Sequence, residues 1–322
     1  MTAARTAAPA AGQPDAQTCG RAAGIPAAAE NAGAETDAAA AENAAVPAPA
    51  RLRRAPIGVF DSGLGGLTSV RELRRVLPGE DIVYFGDTGR VPYGTRGTDT
   101  IIQYAKQDIA FLLSQDVKYV MAACGTVSST LPKAYSDALP VPYTGVVGAA
   151  AAAAARATRT QRIGVIGTAA TISSGSYNAA LRALLPQVHI TSTACPLFVP
   201  LVENGYFGAD NRVTRLVAED YLTEIKAADV DVLILGCTHY PLIASTLAAV
   251  MGPGVTLIDV GRETALAAKR DLERRGLLRG EPHEGSVRYF VSDSTDSFAQ
   301  LAACFLGEYA GGEVSQISVD GL

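Results

Sequence analysis

The sequence predicts an α/β protein of two pseudo-symmetric, doubly wound parallel-sheet domains, with the active site in the cleft between them. Three observations carry this. Short β-branched apolar runs alternate with helix-length stretches, the runs of the first half recur in the second, and each half ends its third run on a cysteine. Strand–helix alternation of this kind implies a mostly parallel sheet covered on both faces, with ligands bound beyond the carboxyl ends of the strands.

The elements follow in order. Residues 1–54 are rich in alanine, broken by Pro, Gly, Glu and Asn, and hold almost no large apolar side chains. A segment that cannot bury a face stays disordered, so an Ala/Pro-rich extension is expected here, with Cys19 inert inside it. Strands are expected at 57–60, 82–85, 119–122, 163–166, 189–193, 232–235, 255–259 and 287–291, where β-branched and aromatic residues cluster between turn formers. Helices are expected at 67–77, 98–114, 176–185 and 211–227. Ile57-Gly58-Val59 recurs as Ile163-Gly164-Val165, and Cys124 after the third run matches Cys237 after the sixth. The domains are therefore set at 55–147 plus 260–310 and at 148–259, with 311–322 as a tail. If the halves face each other, so do their cysteines.

Composition narrows the class of function. The chain has 322 residues, 48% hydrophobic and 18% charged, with a net charge of −5 and a pI near 5.3. That balance fits a globular enzyme and argues against nucleic acid or an anionic membrane surface as the main partner. No apolar run reaches eighteen residues, and the N-terminus lacks a secretory pattern, so a cytoplasmic location with no membrane span is expected. Five scattered cysteines without a Cys-x-x-Cys pair read as free thiols in a reducing compartment.

The candidate chemistry centres on Cys124 and Cys237. Each follows an apolar strand and precedes hydroxyl residues able to cap a helix, and a thiol at a helix N-terminus is expected to have a lowered pKa. Cys195 and Cys304 are taken as core residues. Asp61-Ser62-Gly63-Leu64-Gly65-Gly66 follows the first strand, where its glycines let backbone approach an anion and Asp61 can orient or deprotonate Cys124. Its spacing fits neither a dinucleotide fingerprint nor a phosphate loop. His239, two residues after Cys237, can assist proton transfer, and Glu203 in an apolar stretch is a partner for it. Tyr93 and Gly94 sit on a polar loop suited to a substrate carboxylate. Thr168 and Thr171 form the equivalent hydroxyl-rich loop of the second half. No metal site is expected, because Cys237-x-His239 lacks a second pair of ligands.

Together these residues resemble the glutamate racemases of the aspartate/glutamate racemase superfamily. The likeness rests on Ile57-Gly58-Val59-Phe60-Asp61-Ser62-Gly63-Leu64-Gly65-Gly66-Leu67, Tyr84-Phe85-Gly86-Asp87, Val91-Pro92-Tyr93-Gly94, Ala123-Cys124, Gly167-Thr168, Cys195-Pro196-Leu197 and Leu235-Gly236-Cys237-Thr238-His239-Tyr240-Pro241. These run in the family's order from residue 56 to about 308. The resemblance implies flavodoxin-like domains and a cofactor-independent, two-base racemisation of glutamate that supplies D-glutamate for peptidoglycan, with a homodimer as one expected assembly. It implies Cys124, Cys237, Asp61, His239 and Glu203 as catalytic residues. Substrate binding would fall to Asp61, Ser62, Tyr93, Gly94, Gly125, Thr126, Thr168, Thr171, Thr238 and His239.

One position departs from the family. Where relatives carry Cys-Asn-Thr-Ala, this chain has Cys124-Gly125-Thr126-Val127. A lost hydrogen bond to a charged group costs about 1.5–3 kcal/mol, so Gly125→Asn is expected to raise activity. Three other readings compete: a superfamily relative acting on aspartate or another dicarboxylate, a non-catalytic amino-acid binder or regulator, and a dehydrogenase. The paired cysteines and the Gly-Cys-Thr-His-Tyr-Pro wording favour glutamate, and the glycine spacing disfavours the dehydrogenase.

Overall fold

The computed structural model describes residues 49–319. Within them ten strands form two sheets in which every pairing is parallel. The first sheet contains β1 (Ile57–Asp61), β2 (Ile82–Gly86), β3 (Tyr119–Ala122), β4 (Tyr143–Gly145), β9 (Val287–Val291) and β10 (Glu313–Gln316). Their order is β10-β9-β2-β1-β3-β4. The second contains β5 (Arg162–Gly167), β6 (His189–Ala194), β7 (Val232–Leu235) and β8 (Thr256–Asp259), in the order β6-β5-β7-β8. The order β2-β1-β3-β4 thus repeats as β6-β5-β7-β8, and the repeated sequence pattern is a repeated fold. β1, β2, β3 and β7 are buried along their whole length, which is why they read as continuous apolar runs.

Two helices carry the chain between the sheets. The helix Val146–Ala157 leaves β4 for the second half, and the helix Val260–Arg274 leaves β8 and returns. They pack against each other, and the buried Ala150, Ala151, Ala153 and Ala154 allow a close approach. Asp259 caps the returning helix by accepting from the amides of Gly261 (2.8 Å) and Arg262 (3.2 Å). No helix among the described residues is long and apolar enough to cross a membrane.

Four local readings differ from expectation. β10 occupies 313–316, inside the expected tail, because its backbone completes the edge of β9; its half-exposed, mixed sequence gives no apolar run to read. β4, only three residues long, was too short for periodicity to mark. The expected helix at 211–227 is two, Arg212–Tyr221 and Thr223–Ala227, joined at Leu222, with Asn211 capping the first by accepting from the Thr214 amide. The expected extension lies outside the described residues over 1–48, Cys19 included, but Ala50–Arg54 is helical. That turn is held from the core: Lys118 Nζ donates to the Arg53 carbonyl (2.6 Å), and Arg54 pairs with Glu281 (2.7 Å). Composition alone cannot reveal such docking.

Candidate active site

The carboxyl ends of β1 and β3 from one half, and of β5 and β7 from the other, close around one cavity of about 310 Å³. Cys124 lines it from the first half and Cys237 from the second. Both follow the third strand of their repeat and belong to short loops whose small residues let the two backbones meet. Cys124 and Cys237 are free, buried thiols.

On the first side, the Cys124 Sγ lies 3.6 Å from the Ser62 Oγ. Asp61 stands beside it, buried, and accepts from the Gly63 amide at 3.1 Å. Tyr84, beneath the loop, donates to the Gly63 carbonyl at 2.7 Å and fixes the turn. Burial raises the Asp61 carboxyl above its ordinary range, although the charge of His239 and amide hydrogen bonds work against it. Cys124 caps the helix Gly125–Thr130, yet burial, reinforced by Asp61, pushes its thiol up to about 12. The expectation of a lowered pKa is therefore reversed at Cys124: desolvation and a neighbouring acid outweigh one short helix terminus.

On the second side, the Cys237 Sγ sits 3.7 Å from His239 Nδ1, and His239 Nε2 sits 2.9 Å from Glu203 Oε1. Burial opposes the charged imidazole, but hydrogen bonds to Cys237 and Glu203 win, and His239 is pushed up to about 10. The ring is fixed edge-on against Phe305. Glu203 reaches the site from the helix Phe198–Glu203, entered through Cys195-Pro196. The two thiols thus have different partners, a carboxyl on one side and an imidazolium–carboxylate pair on the other.

Asp61, Ser62, Tyr93, Gly94, Gly125, Thr126, Thr168, Glu203, Thr238 and His239 all line the cavity with the two cysteines. Thr171 does not. It lies behind the wall, its hydroxyl 3.0 Å from that of Thr168, which it orients. Tyr93 presents its ring, but its hydroxyl turns away from the cavity. It donates to Asp87 and lies 3.1 Å from Asp108, both fully buried. Arg90 binds the same two acids at 2.6 and 3.1 Å. This network clamps the loop that carries Gly94 and Thr95 to the cavity, so the Tyr93 hydroxyl anchors the loop rather than meeting a carboxylate. Cys195, expected in the core, is fully buried and also forms part of the cavity wall. Sequence reasoning missed Val91, Pro92, Thr95, Ala169, Pro196, Val199, Pro200 and Gly236, mostly apolar or backbone surface with no chemical signature. Among the described residues, no group of three or more His, Cys, Asp or Glu is placed to hold a metal ion.

The two halves touch around the cavity. Thr126 and Thr168 share a hydroxyl contact at 3.1 Å, Thr68 donates to the Thr238 carbonyl at 2.9 Å, and Ser176 donates to the Ser129 carbonyl at 2.7 Å. At the centre of this seam Gly125 lies on Gly236: a Cβ at Gly125 would stand 2.3 Å from the Gly236 carbonyl oxygen. This contact opposes the expected gain from Gly125→Asn, since a Cβ there fits only if the neighbouring backbone shifts.

The Asp/Glu/Hydantoin racemase family model matches residues 68–268. The chain is 43% identical over 264 residues to the glutamate racemase of Geobacter metallireducens, covering 82% of this chain and 97% of that protein. It is 45% identical over 252 residues to that of Syntrophus aciditrophicus, covering 78% and 93%. Among solved structures, the Thermus thermophilus glutamate racemase in complex with β-chloro-D-alanine superposes with a TM-score of 0.75 at 42% identity, covering 84% of this chain and 99% of that one. The Francisella tularensis glutamate racemase in complex with D-glutamate superposes at 0.78 with 34% identity, covering 84% and 100%.

Proposed function

The chain belongs to the Asp/Glu/hydantoin racemase family, and on that premise we propose that it interconverts L- and D-glutamate, one of Cys124 and Cys237 removing the α-proton and the other supplying a new one on the opposite face. The observation that carries the mechanism is the shared cavity: one thiol from each half of a repeated fold, each backed by its own acid–base partner.

The chemistry follows from the partners. When L-glutamate binds, the Cys237 thiolate, paired with the positive charge of His239, removes the α-proton and becomes a thiol. Glu203 keeps His239 charged and fixed in place. The planar carbanion is then protonated on its opposite face by Cys124, whose raised pKa keeps it a thiol with a proton to give. In the reverse direction the Cys124 thiol passes its proton to the Asp61 carboxylate beside it, the resulting thiolate takes the α-proton of D-glutamate, and the Cys237 thiol protonates the opposite face. Among the described residues no Lys or Arg lines the cavity, so the substrate carboxylates are held by backbone amides and by the hydroxyls of Ser62, Thr126, Thr168 and Thr238. Thr171 supports Thr168, and the Tyr93 network holds the loop over the site. The burial of both thiols limits the water that reaches the carbanion.

The proposal extends to a reaction with no added cofactor, to D-glutamate production for peptidoglycan, and to a cytoplasmic homodimer. Light scattering tests the assembly against the 33.2 kDa chain mass. The activity is tested by incubating purified protein with L-glutamate and resolving the enantiomers chromatographically. An approach to equal amounts is expected. Unchanged L-glutamate, with aspartate or another dicarboxylate racemised instead, would overturn the substrate assignment.

A further inference from the structure

We propose that Gly125 is a positioning residue that sets how closely the two cysteine loops approach, so that this chain closes its cleft backbone against backbone, Gly125 on Gly236. The inference rests on the two-thiol reading above and deepens it.

A Cβ at position 125 would lie 2.3 Å from the Gly236 carbonyl oxygen, whereas ordinary contact begins at 3.4 Å. Any side chain there demands about 1.1 Å of separation, the difference between those two distances. Neither backbone can supply it alone. The Gly236 amide donates to the Ile166 carbonyl at 2.7 Å, and a Cβ on Gly236 would itself come 2.5 Å from that oxygen, so Gly236 is pinned against β5. The loop opposite is pinned to the first sheet, where the Ala123 amide donates to the Phe60 carbonyl at 2.9 Å and the Ser128 hydroxyl to the Ala122 carbonyl at 3.3 Å. The separation must therefore come from parting the halves. The Thr126–Thr168 contact, at 3.1 Å, would then leave hydrogen-bond range.

Gly125 immediately follows Cys124, and Gly236 immediately precedes Cys237. A wedge between these residues moves the two thiols apart by a similar distance, and proton transfer to a carbon held between them is sensitive at that scale. A misplacement of about 1 Å costs about 100-fold in rate. The hydroxyls of Thr126 and Thr168, paired across the same seam, remain the polar groups at that point.

The test compares Gly125→Ala and Gly125→Asn with Gly148→Ala, a helix position where a Cβ meets nothing within 4 Å. Iodoacetamide labelling of Cys124 and Cys237 is followed by peptide mass spectrometry in ligand-free protein, beside kcat for both glutamate enantiomers. Both Gly125 variants are expected to label at least about tenfold faster than wild type and to lose about 100-fold in kcat. Gly148→Ala should match wild type in both. Labelling or kcat within twofold of wild type in Gly125→Ala would overturn the proposal. Should a Gly125 variant fail to fold, Gly65→Ala wedges the same seam, its Cβ falling 2.5 Å from the Thr238 hydroxyl and His239 Nδ1. It is then expected to speed labelling likewise, and unchanged labelling would overturn the closure. Labelling needs no substrate, so a wild-type protein inactive on glutamate would count against the racemase reading while the wedge result still decides this one.

Discussion

Replacing Glu203 with Gln keeps the shape of the side chain and removes the charge that faces His239. In the native protein that pair is 2.9 Å apart, with His239 buried and Glu203 about one-third exposed. Burial alone would push the imidazole toward neutrality, and the hydrogen bonds it donates to Cys237 and Glu203 carry it to about 10 instead. A hydrogen bond to a charged group is worth about 1.5–3 kcal/mol, and one pKa unit is about 1.4 kcal/mol. The exposure of Glu203 favours the lower end of that range, because solvent screens part of the interaction. The variant's His239 should therefore titrate about one unit lower, near 9. The sign follows from the raised value. The imidazolium persists at neutral pH, and activity falls as pH rises through the native pKa. Its stabilisation of the fold is likewise full below about 6.5 and lost as pH rises through about 10. The assay is kcat/KM for glutamate racemisation between pH 7 and 11. The alkaline limb should move down by about one unit in Glu203→Gln, with less than a tenfold loss at pH 7. A limb that stays in place would refute the argument that Glu203 holds His239 charged.

Other outcomes follow from the same geometry. Cys124→Ala and Cys237→Ala should each reduce racemisation by at least about 1,000-fold in a chiral assay; either variant keeping most activity in both directions would remove its thiol from the mechanism. Tyr93→Phe should destabilise the protein by about 1–3 kcal/mol in chemical denaturation while leaving KM within about threefold, because the hydroxyl serves Asp87 and Asp108. A large rise in KM with unchanged stability would return that hydroxyl to the substrate. Lys118→Met should cost about 3–5 kcal/mol in the same denaturation experiment, since it leaves Glu80 buried without its cation. A loss below about 1 kcal/mol would refute the claim that Glu80 depends on Lys118.

Much of this architecture was legible in the sequence because its strands are buried on both faces. Residues 57–60, 82–85, 119–122 and 232–235 read as apolar runs for that reason, and the repeat of Cys124 and Cys237 after equivalent strands is a consequence of two sheets sharing one strand order. The partners of the cysteines were legible too, since Asp61 and His239 lie close in sequence to a strand end and Glu203 is an acid in an apolar stretch. What was hidden depends on contacts between distant segments. Nothing local marks residues 313–316 as a strand, because what makes them one is the open edge of β9. The Tyr93 hydroxyl could not be oriented from sequence, because Asp108 arrives from the helix Thr98–Ser114. Gly125 read as a missing side chain, and only the position of the Gly236 carbonyl turns it into a contact. The Cys124 pKa went the opposite way from expectation because burial is a property of the assembled cleft.

The most direct test of two opposed thiols is proton NMR of L-glutamate, and separately of D-glutamate, turned over in deuterium oxide with the enantiomers resolved at early times. If Cys124 and Cys237 work from opposite faces, newly formed product carries deuterium at the α-carbon while the remaining substrate keeps its protium, from either enantiomer. Product that retains the substrate's α-protium would mean that a single group moves the proton between faces and would contradict the account.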